Sequence, residues 1–186
     1  MQTAAINKKK LTTKQMTIIA LVTAVTCIVA PFAIPLPFSP VPISFTNLII
    51  YLSVYILSTM EATVSYLIYL LIGMVGLPVF SGFTGGFGKL AGPTGGYLVG
   101  FIFLTLIAGF ALAHSKGNRL IQAAGLIIGT LVCYAFGTAW LSISAGLTFG
   151  AALAAGVLPY LLGDAIKIII ALIIGPVLSK TIRHAC

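Results

Sequence analysis

Residues 62–97 read ATVSYLIYLLIGMVGLPVFSGFTGGFGKLAGPTGGY. The first half is an uncharged apolar run, and the second packs seven glycines into the seventeen residues 81–97. Crossing the hydrocarbon of a bilayer takes about 20 apolar residues, which the run before Phe80 approaches. Apolar sequence resumes at Gly95. The stretch therefore reads as membrane helix, glycine-rich loop, membrane helix. The loop carries no nucleotide motif. A P-loop needs a hydroxyl after Gly-Lys and a glycine five residues earlier, but Leu90 follows Gly88-Lys89, and Phe83 stands where that glycine belongs. The spacing GxGxxG fails as well, because Gly86-Phe87-Gly88 runs into Lys89-Leu90-Ala91.

Composition extends the reading to the whole chain. It has 186 residues, 60% hydrophobic and 6% charged, where a soluble domain carries about a quarter charged residues. Uncharged sequence runs from Met16 to Met60, from Ala62 up to Lys89, and over Leu90–Ser115, Leu120–Gly163 and Ile168–Ser179. Turn signals cut these runs. Pro35-Leu36-Pro37-Phe38-Ser39-Pro40 breaks the first, Ser58-Thr59-Met60-Glu61 ends the second helix, and His114-Ser115-Lys116-Gly117-Asn118-Arg119 is a polar turn. The softest break lies at Ser142–Gly150. The expectation is an all-α integral membrane protein, one domain over 1–186, with six transmembrane helices near 16–34, 43–60, 62–79, 95–113, 120–141 and 152–178.

Basic residues orient membrane helices, collecting on the cytoplasmic side. Lys8, Lys9, Lys10 and Lys14 precede the first helix, Lys116 and Arg119 separate the fourth and fifth, and Lys180 and Arg183 follow the sixth. Six spans put these eight of the ten bases on one face. Both termini are thus expected in the cytoplasm, with residues 1–15 a basic cytoplasmic segment. The net charge of +8 is then a topology signal aided by anionic lipid, and needs no nucleic acid. A cleaved secretory signal at the start would spoil this parity. Cys27, Cys133 and Cys186 suggest neither a disulfide framework nor a metal site, and no cofactor is expected.

Three loops face outward on this plan: Pro35–Pro42, Pro78–Thr94 and Ser142–Ala151. The glycine-rich part, 80–94, reads as an extracellular lid, in which glycines such as Gly85 permit positive φ and close approach to a ligand. Gly92-Pro93-Thr94-Gly95-Gly96 leads into the fourth helix, whose first N–H groups suit an anionic group. The sharper signal is Gly163-Asp164-Ala165-Ile166-Lys167. Asp164 is the sole aspartate, and Lys167 the sole base within an apolar segment. Ionisable groups inside the membrane are costly and mark function, and a spacing of three puts these two on one helix face. A structural pair locking the sixth helix is the plain alternative, although such a pair stabilises little. Asn47, at the start of the second helix, adds a donor and an acceptor. Ser44 and Thr46 are expected to serve structure, and Tyr51, Tyr55, Tyr66 and Tyr69 to pack. Trp140 suits either an interfacial anchor or a stacking wall. In the first helix Ala20 and Ala24 form a small-xxx-small pattern that lets another helix approach.

These residues resemble the biotin transporter BioY family. Gly76-Leu77-Pro78-Val79-Phe80, the glycine stretch through Gly92-Pro93-Thr94-Gly95-Gly96-Tyr97, Val41-Pro42-Ile43-Ser44 and Gly163-Asp164-Ala165-Ile166-Lys167 carry the match, which runs from first to sixth helix. The resemblance implies a substrate-binding (S) component of an energy-coupling factor importer. Its ligand would be biotin, and its partners a transmembrane coupling subunit of the EcfT type and two ATPase subunits in the cell membrane. It is then no enzyme, ATP hydrolysis falling to the partners. Asp164, Lys167 and the loop between the third and fourth helices would hold the ligand, and Ala20 and Ala24 would meet the coupling subunit. At Asn47 the family's glutamine is replaced by a shorter amide. Asp164 is expected to accept ureido N–H groups, with Lys167 orienting it or meeting the ureido oxygen. Biotin exceeds one helical turn of about 5.4 Å, so the carboxylate would lie near Lys89 or the backbone at Thr94; carboxylate on Lys167 is the competing pose. Phe83, Phe87, Tyr97 and Trp140 are candidate walls. A stand-alone facilitator or channel for a small carboxylate is the rival class.

Overall fold

The computed structural model describes residues 12–185, with side chains to residue 182. Lys8, Lys9 and Lys10, the side chains of Arg183 and His184, and Cys186 lie outside the described residues. The chain is mostly helical: α1 (Thr13–Val29), a hairpin of β1 (Ala33–Leu36) and β2 (Ser39–Ser44), then α2 (Thr46–Ile56) and α3 (Thr59–Met74). There follow α4 (Phe87–Ala91), α5 (Gly95–His114), α6 (Arg119–Ala145), α7 (Phe149–Gly156) and α8 (Leu161–Ala185). Among the described residues three stretches are long and apolar enough to cross a membrane: Gly95–His114, Arg119–Ala145 and Leu161–Ile182. Thr13–Val29, Thr46–Ile56 and Thr59–Met74 are shorter apolar helices.

Several sequence expectations are corrected here. The first turn is not a plain loop: β1 and β2 pair antiparallel, Ala33 facing Ser44 and Ile34 facing Ile43. Prolines 35, 37, 40 and 42 forbid helix, and a two-stranded ribbon tolerates them because each strand has a free edge. Ile43 and Ser44 thus belong to the hairpin, and α2 starts three residues later than expected. Ser58–Glu61 starts a helix as well as ending one. Ser58 Oγ accepts from the Glu61 amide while Glu61 Oε2 accepts from the Ser58 amide at 2.9 Å, a capping box that moves the start of α3 to Thr59. That bond also gives the sole glutamate its role. At the other end Gly76 takes φ 112° and stops the chain short of Val79. The last expected helix is two: Pro159 disfavours helical backbone at Leu158, so α7 ends at Gly156 and α8 begins at Leu161.

α5 and α6 form the tightest pair, α8 lies along α2, and α3 lies between α1 and α5. Small residues set these distances. A Cβ on Gly100 would come within 3.0 Å of Cys133 Cα, and one on Gly129 within 3.1 Å of the Leu104 carbonyl oxygen. Polar groups are inside: Thr23 Oγ1 meets Ser65 Oγ at 2.9 Å across α1 and α3, and Tyr51 Oη meets Thr130 Oγ1 at 2.6 Å across α2 and α6. Large apolar side chains are outside, among them Leu21, Ile28, Phe110, Leu131, Ile143, Leu162 and Ile173. Soluble proteins rarely expose continuous apolar surface, whereas lipid solvates it. This is the surface of a membrane protein.

Candidate ligand-binding site

Asp164 lies in the first turn of α8, one turn before Lys167. The two side chains form a buried ion pair, Nζ to Oδ1 at 3.1 Å, the sole salt bridge among the described residues. Asn47 in the first turn of α2 joins them. Its Nδ2 donates to Asp164 Oδ1 at 2.6 Å, and its Oδ1 accepts from Lys167 Nζ at 2.9 Å. The third ammonium proton goes to the Ser44 carbonyl at 2.7 Å. Tyr134 of α6 donates to Asp164 Oδ2. Burying charge is costly unless every donor and acceptor finds a partner. Here the three N–H groups of Lys167 are all used, while Asp164 Oδ2 retains acceptor capacity beside Tyr134. The cluster is a fixed acceptor in an apolar wall.

A cavity of about 70 Å³ adjoins it. Its lining includes Val41, Pro42 and Ser44 from the hairpin, Tyr51 of α2, Tyr69 of α3, Thr94 and Tyr97 at the head of α5, and Tyr160 before α8. Small-molecule pockets run to roughly 300–1,000 Å³, so a ligand must widen this one. The segments beside it are tied to the bundle. Tyr160 Oη donates to the Val41 carbonyl and lies 2.9 Å from Ser39 Oγ, fastening the hairpin to the α7–α8 turn. Tyr97 Oη donates to the Gly156 carbonyl at 3.0 Å. The glycine-rich segment is anchored by Gly82 N to the Pro31 carbonyl and Gly86 N to the Gly73 carbonyl, at 2.9 and 2.7 Å.

Of the residues the sequence singled out, Asp164, Lys167, Asn47, Thr94 and Tyr97 come together around this cavity. Phe83, Gly85, Lys89 and Trp140 are not in its lining. Phe83 is exposed in left-handed backbone (φ 55°) with its ring edge-on to Phe32 at 5.3 Å. Gly85 is a close-approach position, but to the chain itself: a Cβ there would run into the backbone of Leu77 and Gly76. Lys89 sits half-buried in α4, where desolvation holds its ammonium below the ordinary lysine pKa. Trp140 Nε1 donates to the Gly92 carbonyl at 2.9 Å, pinning the turn that launches α5. Ala20 and Ala24 lie together on an exposed face of α1. Ser44 and Thr46 both line the cavity. Tyr51, Tyr69, Tyr134 and Tyr160 were not legible as site residues; an inward tyrosine in an apolar helix looks like packing until its partner is known.

Apolar helices around a buried acid–base cluster, with the hairpin and the glycine-rich segment tied to the bundle, define a membrane protein with a polar cavity inside it. The sequence profile of the BioY family matches residues 4–184. The Biotin transporter BioY2 of Lactococcus lactis subsp. cremoris is 32% identical over 91% of this chain and 92% of that protein. The Probable biotin transporter BioY of Pyrococcus horikoshii is 34% identical over 87% and 93%. A crystal structure of the S-component for biotin from an ECF-type ABC transporter superposes with a TM-score of 0.84 at 29% identity, covering 92% of this chain and 95% of that one. The chain belongs to the BioY family.

Proposed function

We propose that this chain is the biotin-binding S component of an ECF importer, a transporter subunit rather than an enzyme. The observation that carries the reading is the buried Asp164–Asn47–Tyr134–Lys167 cluster at the cavity wall. A ureido ring offers two N–H donors and a carbonyl, and its N–H groups match the spare acceptor capacity of Asp164 Oδ2. Lys167 acts as the group that orients Asp164, because its protons are already committed. Tyr97 supplies an apolar wall for the bicyclic ring. Phe83, Gly85, Lys89 and Trp140 act through the cover, shaping the lid over 80–94.

In the membrane the six longer helices form one domain over residues 1–186, with both termini and residues 1–15 in the cytoplasm. The three shorter helices complete their crossings with the hairpin and the lid. The site then faces outward at the plasma membrane. Ala20 and Ala24 meet an EcfT-type coupling subunit, and two ATPases supply the energy. Uptake of labelled biotin by cells expressing the chain with and without these partners tests the assignment. ATP-dependent accumulation only with the partners is expected; equal uptake without them would instead establish the facilitator reading.

A further inference from the structure

A second cavity, of about 680 Å³, opens at the end of the bundle away from Asp164. It lies where the α2–α3 turn, the α5–α6 turn and the last part of α8 meet, and its lining includes Ser58, Ser115, Lys116, Gln122, Ser179 and Lys180. Lys180 follows Asp164 by about 24 Å along α8 at 1.5 Å per residue, and no residue lines both cavities. The floor is polar and its groups are committed to one another. Tyr55 Oη donates to Gln122 Oε1 at 3.3 Å, Gln122 Nε2 to Ser115 Oγ at 3.2 Å, and Ser115 Oγ to the Leu112 carbonyl at 2.8 Å.

The two lysines on the wall are not committed. Among the described residues neither Lys116 nor Lys180 forms an ion pair or a hydrogen bond. The sole glutamate is turned onto the Ser58 amide, and Arg119 donates to the Leu172 carbonyl. Pro176, inside α8, has no N–H to return to that carbonyl one turn earlier, so Arg119 takes its place. Lys116 is held in left-handed backbone, φ 47°, a conformation rare outside glycine. Two cations without a counter-charge thus border one cavity.

The cavity continues into apolar surface. Thr59 and Ala113 line it and also line a groove of about 780 Å³ between the start of α3, α5 and α6. The groove walls include Met60, Ile107, Phe110, Ile121 and Ile128, and all of these but Ile107 are exposed. At the rim His114 lays its ring on Phe110 at 4.1 Å. An occupant that satisfies both parts carries an anion at one end and hydrocarbon at the other. A small soluble anion would leave the groove to other molecules, and a peptide would bring unpaired backbone groups into a lipid-facing channel. A phospholipid suits both. On the topology proposed above this end faces the cytoplasm, where anionic lipids gather and lysines attract them.

We infer that Lys116 and Lys180 bind the phosphate of an anionic phospholipid, one acyl chain of which passes Thr59 and Ala113 into the groove beside Phe110. The lipid bridges the α5–α6 turn to α8. This site is independent of the biotin reading and lies at the opposite end of the chain's helices from it.

Native mass spectrometry of the purified full chain in detergent, titrated with dioleoylphosphatidylglycerol and with dioleoylphosphatidylcholine, tests the inference. The wild type is expected to retain one phosphatidylglycerol about tenfold more tightly than phosphatidylcholine, two lysines acting on one headgroup. Lys116→Gln combined with Lys180→Gln is expected to abolish the preference. Each single substitution, the fallback if the pair does not fold by circular dichroism, is expected to lower it about threefold. Ala113→Trp fills the passage to the groove and is expected to weaken both lipids. Lys14→Gln combined with Lys89→Gln removes the same charge elsewhere and is expected to keep the preference within about twofold. An unchanged preference without Lys116 and Lys180 overturns the inference, and so does an equal loss in the Lys14 and Lys89 control, which would mean diffuse attraction. Wild-type binding of both lipids by Ala113→Trp overturns it as well. Displacement of the bound lipid by glycerol 3-phosphate would make a soluble anion the occupant and overturn it too.

Discussion

Replacing Asp164 with alanine is predicted to destabilise the fold by about 3–5 kcal/mol, the usual result of removing one partner from a buried ion pair. The structure shows why the cost falls in that range. Three donors lose their acceptor at once: Asn47 Nδ2 at 2.6 Å, Lys167 Nζ at 3.1 Å, and the Tyr134 hydroxyl. Lys167 is 8% exposed, and its remaining partners, the Ser44 carbonyl and Asn47 Oδ1, are neutral. Its ammonium would therefore stay buried without a counter-charge. For a chain of this size each kcal/mol moves the unfolding temperature by about 2–4 °C, giving a fall of about 6–20 °C. Adding Lys167→Met removes the stranded cation at similar side-chain volume, so the double variant is predicted to regain at least half of the loss. Thermal unfolding of the detergent-purified chain, followed by circular dichroism, reads both values. A single variant that loses less than about 2 °C would refute the reasoning, as would a double variant no more stable than the single.

Other predictions address the cover, the packing and the partner face. Tyr160→Phe removes the tie from the α7–α8 turn to Ser39 and Val41, and bound biotin is expected to dissociate about three- to tenfold faster in a stopped-flow chase. A Cβ on Gly96 would come within 2.8 Å of the Phe136 carbonyl oxygen, so Gly96→Leu is expected to cost about 1–3 kcal/mol in thermal unfolding. Gly163 has open space around it, and Gly163→Ala should leave stability unchanged. Ala20→Trp and Ala24→Trp, on an exposed face of α1, are expected to abolish partner-dependent uptake while sparing biotin binding; loss of binding as well would assign these residues to folding.

The sequence was informative where a physical rule acts locally. The sparse charges alone singled out Asp164 and Lys167, because an uncompensated charge is so costly in an apolar helix. The glycine stretch marked close backbone packing, although Gly85 approaches the Leu77 backbone where a ligand contact was the sequence reading. Ser58 and Glu61 carried the capping signal in plain view, but read as helix-ending polar residues they hid the start of α3. The prolines before Val41 excluded helix without specifying which strands would pair. Contacts between distant elements were the illegible part. Tyr134 and Asp164 are thirty residues apart and meet only because α6 packs beside α8. Tyr160 reaches the hairpin across 119 residues. Asn47 illustrates the opposite case: its short amide reaches both members of the ion pair, because the hairpin and the α2 start bring its backbone close.

The most direct test of the account is equilibrium titration of biotin into the purified chain in detergent, without nucleotide or partner subunits, for wild type and Asp164→Asn. Saturable one-to-one binding by the wild type, sharply weakened in the variant, is predicted. Wild-type affinity retained by Asp164→Asn would contradict the placement of the ureido ring, and a folded wild-type chain that does not bind biotin would contradict the function proposed for it.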